Sequence, residues 1–570
     1  MKGREWDEPK QVEMSKLERL GAMTPIVADD PIIKSFENRT PGWRPVDTMW
    51  AGRIKYNADL TIDKYSARCV LRGDIHSKTY GVDSNRSMSP VVRNSSCMAI
   101  DAFGCLKRQH MRPYDVTGAY LWGDQKECEQ VVARPPHGFR QFDERGIEIY
   151  WLMWVPLYGQ TDAGAIWNRT VNQFQTSPPM SYDRCDNDPC VYSKCTADGG
   201  RITMPLYVDD GRYYYCESAK ATAREDMARF ENRFEVKFKD EDPIDDYFLG
   251  GNRTSGSLGS CSISCYTYID KMVHRYLTGD LDSYPSSWSY TPADDTLVRA
   301  FEEATASRAP APPAFVTKYG SLFGAILHAI KYRPEISIAL NLCGSCLTFP
   351  TEKLYDCLVR VLVYLARTKH MGTTFTDVGE TKGLHAYADS NWSVTRSTTG
   401  FVIFLGNGAI AHAARRQHCI TMSSCEAELV ALADLAIELL YIINLLHFIG
   451  YEHDGPVAVS TDNKGAYDLC HRFSSAANSR HIDRKLFKMR ELRGAEVVTV
   501  SHVPTELNPA DLFTKVLSRQ EFEKHRRHVM NLAAADGNER KAHERRSQPP
   551  CAEQGGSLKS PKKKKVAYQA

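Results

Sequence analysis

The sequence predicts a mixed α+β chain with an α/β layer domain in its C-terminal half, and three observations carry that prediction. From Glu5 to Gly251, β-rich and helical patterns alternate, punctuated by turn signals at Asn57-Ala-Asp59, Arg134-Pro-Pro-His-Gly138 and Asp210-Gly211. From Leu384 to Leu517, three strand patterns (LHAYADSNW, TGFVIFLG, ARRQHCITM) precede a long helix after Ser423 and a further strand, VAVSTD, the order of a layered α/β domain. Composition permits a large core, since 42% of the 570 residues are apolar and 25% are charged, as in soluble globular proteins. At roughly 150 residues per domain the length allows about four units.

The segments between follow in order. Asn252 to Phe315 turns to Ser, Gly, Pro and Ala (SYPSSWSYTPADD, ASRAPAPPAF), which predicts a loosely ordered connection with a flexible linker at 277–315. Tyr319 to Thr368 carries helical spacing in two blocks, around Leu322, Ile326 and Ile330, then around Leu354, Leu358, Leu362 and Leu365. After Asn531 the chain is polar and charged and ends in a basic cluster, Lys562 to Lys565, so disorder is expected there.

Charge and cysteine usage exclude some classes. There are 72 Lys/Arg against 70 Asp/Glu, a net charge of +2. From Asp536 onward nine Lys/Arg face four Asp/Glu, so the tail carries +5 and the body about −3; bulk charge announces no nucleic-acid binder. The 17 cysteines show no framework, and Cys343-Gly-Ser-Cys346 lacks the second half of a zinc site. They read as free thiols in a reducing compartment. The N-terminus has no apolar signal core, and the run Leu429 to Ile449 is interrupted by Asp434, Glu438, Asn444 and His447. A soluble cytoplasmic protein without a membrane span is expected.

Two constellations of acids carry chemistry. In LYVDDG (Leu206 to Gly211), Asp209 and Asp210 fall at the tip of an expected hairpin, because Asp-Gly favours a turn and Tyr213 to Tyr215 resume a β-rich run. Asp-Asp also occurs at Asp29-Asp30, Asp245-Asp246 and Asp294-Asp295, so an ordinary polar turn is the alternative. Asp115, in YDVTGAYLWGD, stands at the edge of another β-rich run, with Tyr120 shortly after it. Converging carboxylates suit two Mg²⁺ or Mn²⁺ ions roughly 3.5 to 4 Å apart, which stabilise the attacking and leaving oxygens of an in-line displacement.

This region resembles the reverse transcriptase of copia-type retrotransposons through a series of collinear stretches. They are KYSARCVLRG (Lys64 to Gly73), SPVVR (Ser89 to Arg93), DVTGAYLWGD (Asp115 to Asp124), RPPHGF (Arg134 to Phe139), LYGQTDAGAIW (Leu157 to Trp167), DPCVY (Asp188 to Tyr192), YVDD (Tyr207 to Asp210) and YFLGG (Tyr247 to Gly251). The resemblance implies Asp115, Asp209 and Asp210 as polymerase carboxylates, the first two as direct ligands of two divalent ions. It implies Tyr120 as the residue that screens an incoming nucleotide's 2′-hydroxyl, a core aromatic being the alternative. Arg68, Arg72 and Tyr158 are implied at the nucleotide site. Guanidinium suits a triphosphate by charge and fork geometry, although either arginine also reads as a solvated strand residue. Phe248, Leu249 and Gly250 resemble the family's primer-positioning stretch.

One stretch departs from the family. Where the family usually reads LYGLKQAPRAW, Thr161, Asp162, Gly164 and Ala165 stand for Lys, Gln, Pro and Arg. Two cations lost and an anion gained should weaken triphosphate binding. Pro205 is also unexpected in a central strand, because it cannot donate to the ladder. Reduced polymerase activity is the expectation.

Downstream, Asp389 (AYADSNW), Glu428 (SSCEAELVAL), Asp462 (VSTDN) and Asp511 (NPADLFTK) fall on successive elements. Their contexts, with TGFVIFLG and RHID (Arg480 to Asp483), resemble the RNase H domain that follows the polymerase in copia-type elements. That implies four carboxylates holding two divalent ions that cleave the RNA strand of an RNA/DNA hybrid. Ser423-Ser-Cys-Glu426 has capping-box spacing, which gives Glu426 a structural task and leaves Glu428 for catalysis.

By resemblance the architecture is a right-hand polymerase, with fingers and palm at 1–251 and thumb and connection at 252–382, then an RNase H-like domain at 383–517. A C-terminal helix remnant and a disordered basic tail fill 518–570. The implied partners are an RNA template, a DNA or tRNA-like primer, dNTPs, RNA/DNA hybrid and other element-encoded proteins, with no membrane. PKKKKV (Pro561 to Val566) resembles a nuclear import signal or is a solvated charge run. Capsid, zinc-knuckle, protease and integrase segments are not among these residues, which implies a processed product or a truncated copy. The alternative function is an impaired or repurposed remnant that binds nucleic acid without synthesis. The altered stretch around Asp162 points that way, and the retention of all seven carboxylates points to the enzyme.

Overall fold

The computed structural model describes residues 3–39, 44–56, 61–73, 89–124, 131–378, 383–471 and 483–533. They build four sheets. The first contains β1 (Met23–Val27), β2 (Val46–Tyr56), β3 (Ile62–Leu71), β5 (Val131–Arg134) and β6 (Ile149–Met153) in the order β1-β6-β5-β2-β3. The second contains β4 (His110–Val116), β7 (Asp183–Arg184), β8 (Val191–Cys195), β9 (Arg201–Tyr207), β10 (Asp210–Tyr215) and β11 (Val236–Phe238) in the order β11-β4-β10-β9-β8-β7. A third sheet runs β12 (Asp245–Phe248), β13 (Gly251–Ser257), β14 (Ser260–Ser264) and β15 (Thr373–Thr376). The fourth contains β16 (Leu384–Asn391), β17 (Thr398–Leu405), β18 (Gly408–Arg416), β19 (Val457–Thr461) and β20 (Val498–His502) in the order β18-β17-β16-β19-β20.

The second sheet is covered on both faces, which is why β9 and β10 read as apolar runs. Along β10, Tyr214 packs with the helix Asn94–Leu106, while Tyr213 and Tyr215 point the other way toward Trp167 and Phe230, the two-residue alternation of a strand. Pro205 does lie inside β9, at the centre of this sheet. The ladder accommodates it. The β9–β10 register pairs Leu206 with Gly211 and Thr203 with Tyr214 and skips the positions between, so no partner on β10 waits for the missing N–H.

In the fourth sheet β16, β17 and β18 are antiparallel, and β19 and β20 run parallel to β16. The helix Ser424–Phe448 crosses β16 and β17. It is long and apolar enough to cross a membrane, with a mean hydropathy of 2.1 in its most apolar window, but 67% of that window is buried against the rest of the protein. Burial on several sides accounts for its composition. Its outer face meets the helix Asn94–Leu106 through a polar seam. The buried carboxylate of Asp188 accepts hydrogen bonds from Ser96 Oγ at 2.6 Å, Tyr441 OH at 3.1 Å and Arg93 N at 3.0 Å. Arg93 lies over the Tyr441 ring at 4.3 Å, Ser95 Oγ donates to Glu438 at 3.2 Å, and Arg201 donates to Phe448 O at 2.9 Å.

Three expectations are corrected here. The segment 277–315 is an ordered element, with two short 3₁₀ turns and a helix, Asp295–Ser307, that buries Leu297, Ala300 and Ala304. Its Ser/Pro composition suggested looseness, but two distant arginines order it. Arg367 donates to the carbonyls of Leu281, Tyr284 and Pro285 at 2.6 to 2.8 Å, and Arg360 holds Thr291 and Asp294. The third strand pattern ends at Arg416, before Ile420. The C-terminal helix Arg519–Met530 is no remnant, since it buries Phe522, Val529 and Met530. The basic cluster Lys562 to Lys565 and His481 lie outside the described residues. The helical blocks of Tyr319 to Thr368 form as expected, and the fifteen described cysteines are free thiols.

Candidate active sites

The first group of acids is set by one hairpin. Its turn is Val208-Asp209, because Tyr207 already pairs with Asp210; Asp210-Gly211, expected to make the turn, belongs to β10. The glycine serves packing. A Cβ on Gly211 would lie 2.3 Å from the Tyr114 ring and hydroxyl. The turn places Val208 at φ 54°, an uncommon conformation for a β-branched residue. It is held by Trp167 Nε1, which donates to Val208 O at 2.6 Å, and by Val116 N, which donates to Asp209 O at 2.7 Å. Across the sheet Asp115 on β4 stands directly opposite Asp210 on β10.

Three acids on adjoining backbone repel one another. Burial first, then Asp115, raises the Asp209 carboxyl; burial, Asp209 and Asp115 push Asp210 up to about 6. Arg68 opposes the shift at Asp209 and Lys239 opposes it at Asp210. Arg68 lies over the Tyr158 ring at 4.7 Å, Tyr158 is 5.6 Å from the Tyr120 ring, and Asp209 contributes to raising the Tyr120 phenol behind burial. Asp115, Asp209, Asp210, Tyr120, Tyr158 and Arg68 therefore share one neighbourhood. Arg72 is exposed just beyond β3, its amide bonded to Asp47 O at 3.0 Å.

The altered stretch borders this neighbourhood. Tyr158 O accepts from Leu71 N at 2.7 Å, and Gly164 sits beside Tyr120, whose hydroxyl would be 3.9 Å from a Cβ there. Asp162 precedes the helix Ala163–Thr176 but accepts from Gln160 Nε2 at 2.8 Å and does not cap it.

The primer-positioning stretch divides in two. Phe248 is buried beneath the Arg212 guanidinium at 4.6 Å and faces the core. Leu249 and Gly250, both at positive φ, make the two-residue turn between β12 and β13. They line a cleft of about 550 Å³ with Arg53, Tyr207, Lys271 and Lys331. Beneath the hairpin lies a network that the sequence did not reveal. Arg212 donates to Asp246 at 2.8 and 3.0 Å and to Asp101 at 3.1 Å. The only local hints were one aspartate in an apolar helix and one arginine in a tyrosine-rich strand.

The second group converges more tightly. Among the described residues, Asp389, Glu428 and Asp462 have carboxylate oxygens within 4.8 Å of one another; Asp115, Asp209 and Asp210 do not form such a group. The donor set is all oxygen, which suits a hard divalent ion. Ser390 N and Oγ donate to Glu428 Oε1 at 2.9 and 3.0 Å, and Thr461 Oγ1 donates to Oε2 at 3.2 Å. Asn508 Nδ2 reaches Asp462 at 3.4 Å, and Thr514 Oγ1 donates to Asp389. Asp511 joins through Lys515, whose Nζ is 2.7 Å from Asp511 Oδ1 and 3.4 Å from Asp389 Oδ1. Ser423 caps the helix by accepting from Glu426 N at 3.2 Å, and Glu426 reaches back to Met422 N at 2.6 Å, one residue before the expected amide. Glu428 is thus the acid that faces the cluster.

Burial first, then Asp389, pushes Glu428 up to about 8 and Asp511 to about 7; burial also raises Asp389. Each folded value exceeds its unfolded reference of 4.5 or 3.8, so the stabilisation is full below the reference value and is lost as pH rises through the folded one. Above about pH 7.5 His412 and His525, whose folded values are lowered to about 4 from an unfolded reference of 6.5, no longer titrate in either state. In EDTA the melting temperature should therefore fall from about pH 7.5 to about pH 8.5, and Mg²⁺ should restore it most at the alkaline end. Thermal melting across that range tests this.

Residues 37–286 match the family described as reverse transcriptase (RNA-dependent DNA polymerase). The chain is 26% identical over 492 residues to the retrovirus-related Pol polyprotein from transposon TNT 1-94 of Nicotiana tabacum, covering 85% of this chain and 35% of that protein. It is 26% identical over 482 residues to the Pol polyprotein from transposon RE1 of Arabidopsis thaliana, covering 84% and 31%. Over most of its length the chain is similar to Pol polyproteins of copia-type retrotransposons. It spans about a third of the length of these Pol relatives. A structure of the foamy viral protease-reverse transcriptase in complex with dsDNA aligns over 89% of this chain and 84% of that one, at 12% identity and a TM-score of 0.46. Both groups of acids fall within the compact unit that extends to Leu532.

Proposed function

We propose that this chain is an RNA-directed DNA polymerase whose second acidic site cleaves the RNA strand of the resulting hybrid. The observation that carries the reading is the register of Asp115 opposite Asp210, with Asp209 on the strained turn between β9 and β10. This arrangement supports a right-hand layout, with fingers and palm in 1–251, thumb and connection in 252–382 and an RNase H-like domain in 383–517. The strand order and directions of the fourth sheet support the last of these.

In this reading two divalent ions per site, bound by Asp115 and Asp209 in one and by Asp389, Glu428, Asp462 and Asp511 in the other, would stabilise the attacking and leaving oxygens of phosphoryl transfer. Arg68 supplies positive charge to the triphosphate, and the Tyr120 ring occupies the space a ribose 2′-hydroxyl would need. Leu249 and Gly250 meet the primer, and Arg53, Lys271 and Lys331 in the adjoining cleft grip its backbone. The partners are an RNA template, a DNA or tRNA-like primer and dNTPs. The site of action is cytoplasmic, with nuclear import through Lys562 to Lys565.

Asp162 favours a second reading. It sets a carboxylate at the head of the helix Ala163–Thr176, two residues before Gly164, which adjoins Tyr120, where the helix dipole would otherwise favour phosphate. In that reading the chain binds duplexes and cleaves hybrid but synthesises poorly. Primer extension on an RNA template, alongside cleavage of a labelled RNA/DNA hybrid, separates the two. Extension and cleavage are expected. Folded protein that binds the duplex and cleaves hybrid without extension would establish the second reading, and failure at both reactions would overturn both.

A further inference from the structure

The acids of the second site are divided between two partners. Asp389, Glu428 and Asp462 present oxygens within 4.8 Å of one another. Asp511 stands outside that group and faces Asp389 across the ammonium of Lys515, 2.7 Å from Asp511 Oδ1 and 3.4 Å from Asp389 Oδ1. Asp389 is common to both halves. Among the described residues, the ion pairs made by these four acids all come from Lys515.

The placement of Lys515 is built in at its root. Its amide donates to Asp511 O at 3.0 Å, and the preceding Thr514 donates its hydroxyl to the other oxygen of Asp389. The two carboxylates are nearly sealed, at 2% and 8% side-chain exposure, whereas the lysine side chain is 34% exposed. A long aliphatic stem with a path to water can withdraw its charged end without disturbing the backbone. Buried carboxylates in such proximity need a cation, and Lys515 supplies one between Asp389 and Asp511.

We propose that Lys515 is a tethered cation that competes with a divalent ion for Asp389 and Asp511. One ion then binds readily at Asp389, Glu428 and Asp462, and a second enters only as the ammonium swings out. The proposal rests on the metal-binding reading of this site, and it makes Lys515 a positioning residue that sets how much metal the site holds at rest.

Mn²⁺ titration of the full chain, read by electron paramagnetic resonance, tests it. An Asp209→Asn, Asp210→Asn background weakens metal binding at the first site, so that the ions counted belong to the second. With Lys515 present, one tight and one weak Mn²⁺ are expected. Lys515→Met, which keeps the length and removes the charge, should tighten the weak ion by at least about tenfold and the tight one, which shares Asp389, by clearly less. Lys515→Arg should restore the parental pattern, and unchanged melting of each variant would exclude misfolding. Equal affinities for both ions with and without the Lys515 charge would overturn the proposal while leaving the metal site standing. Mn²⁺ binding that Asp462→Asn leaves untouched would overturn the metal reading and the proposal together.

Discussion

Asp209→Asn should abolish primer extension, a loss of roughly two orders of magnitude or more, as for other preorganised groups that stabilise developing charge. The substitution keeps the shape of the side chain, and Val116 N bonds to the Asp209 backbone oxygen, so the turn should persist. Removing one of three mutually repelling acids relieves the repulsion that raises Asp210, and thermal stability should hold or rise slightly. On the proposed function, hybrid cleavage at the acids around Asp389 would serve as an internal control in the same preparation. Undiminished extension by the folded variant would exclude Asp209 from the reaction.

The largest expected effect on stability is at Arg212. Its side chain is 4% exposed and lies between Asp101 and Asp246, themselves 2% and 1% exposed. Arg212→Met would leave two buried carboxylates short of a partner, a change that typically costs about 3 to 5 kcal/mol. Compensation is partial. Asp101 keeps Arg253 at 2.9 Å and Tyr214 OH at 2.8 Å, and Asp246 keeps Lys239 at 2.8 Å, so the lower end of that range is expected. Pairing Arg212→Met with Asp246→Asn should recover part of the loss, because one stranded charge disappears with its partner. Thermal or urea unfolding measures both. A loss below about 1 kcal/mol for the single variant would show that Arg253 and Lys239 already neutralise the network.

Much of the fold was legible because local chemistry and tertiary context agree. Ser423 caps the helix that carries Glu428, and β16, β17 and β19 coincide with alternating or continuous apolar runs. Asp115 lies in the β-rich run that drew attention to it and Glu428 in the helix that Ser423 caps, whereas Asp210 belongs to β10 and not to the turn. The failures share a cause, which is partners far away in sequence. Nothing around Asp210-Gly211 shows that Tyr114 requires the glycine for packing, so the pair read as a turn. Nothing in SYPSSWSYTPADD shows that Arg360 and Arg367 wait 66 to 86 residues downstream of their partners to fix it. Phe248 read with Leu249 and Gly250 as part of a primer-positioning stretch because burial beneath Arg212 depends on a strand elsewhere. Lys515 was passed over because a lysine after an apolar turn looks like any solvated charge until Asp389 is brought beside it.

The polar seam at Asp188 bears on where RNA would be cut. It joins the helix that carries Glu428 to the helix Asn94–Leu106, and that helix packs against β10, which bears Asp210. A satisfied buried carboxylate with three donors from two elements resists sliding in a way that apolar contact alone does not. If the chain acts as proposed, a duplex engaged at both sites would meet them at a fixed offset, the seam would serve as a ruler, and fragment length would be a property of the protein's backbone.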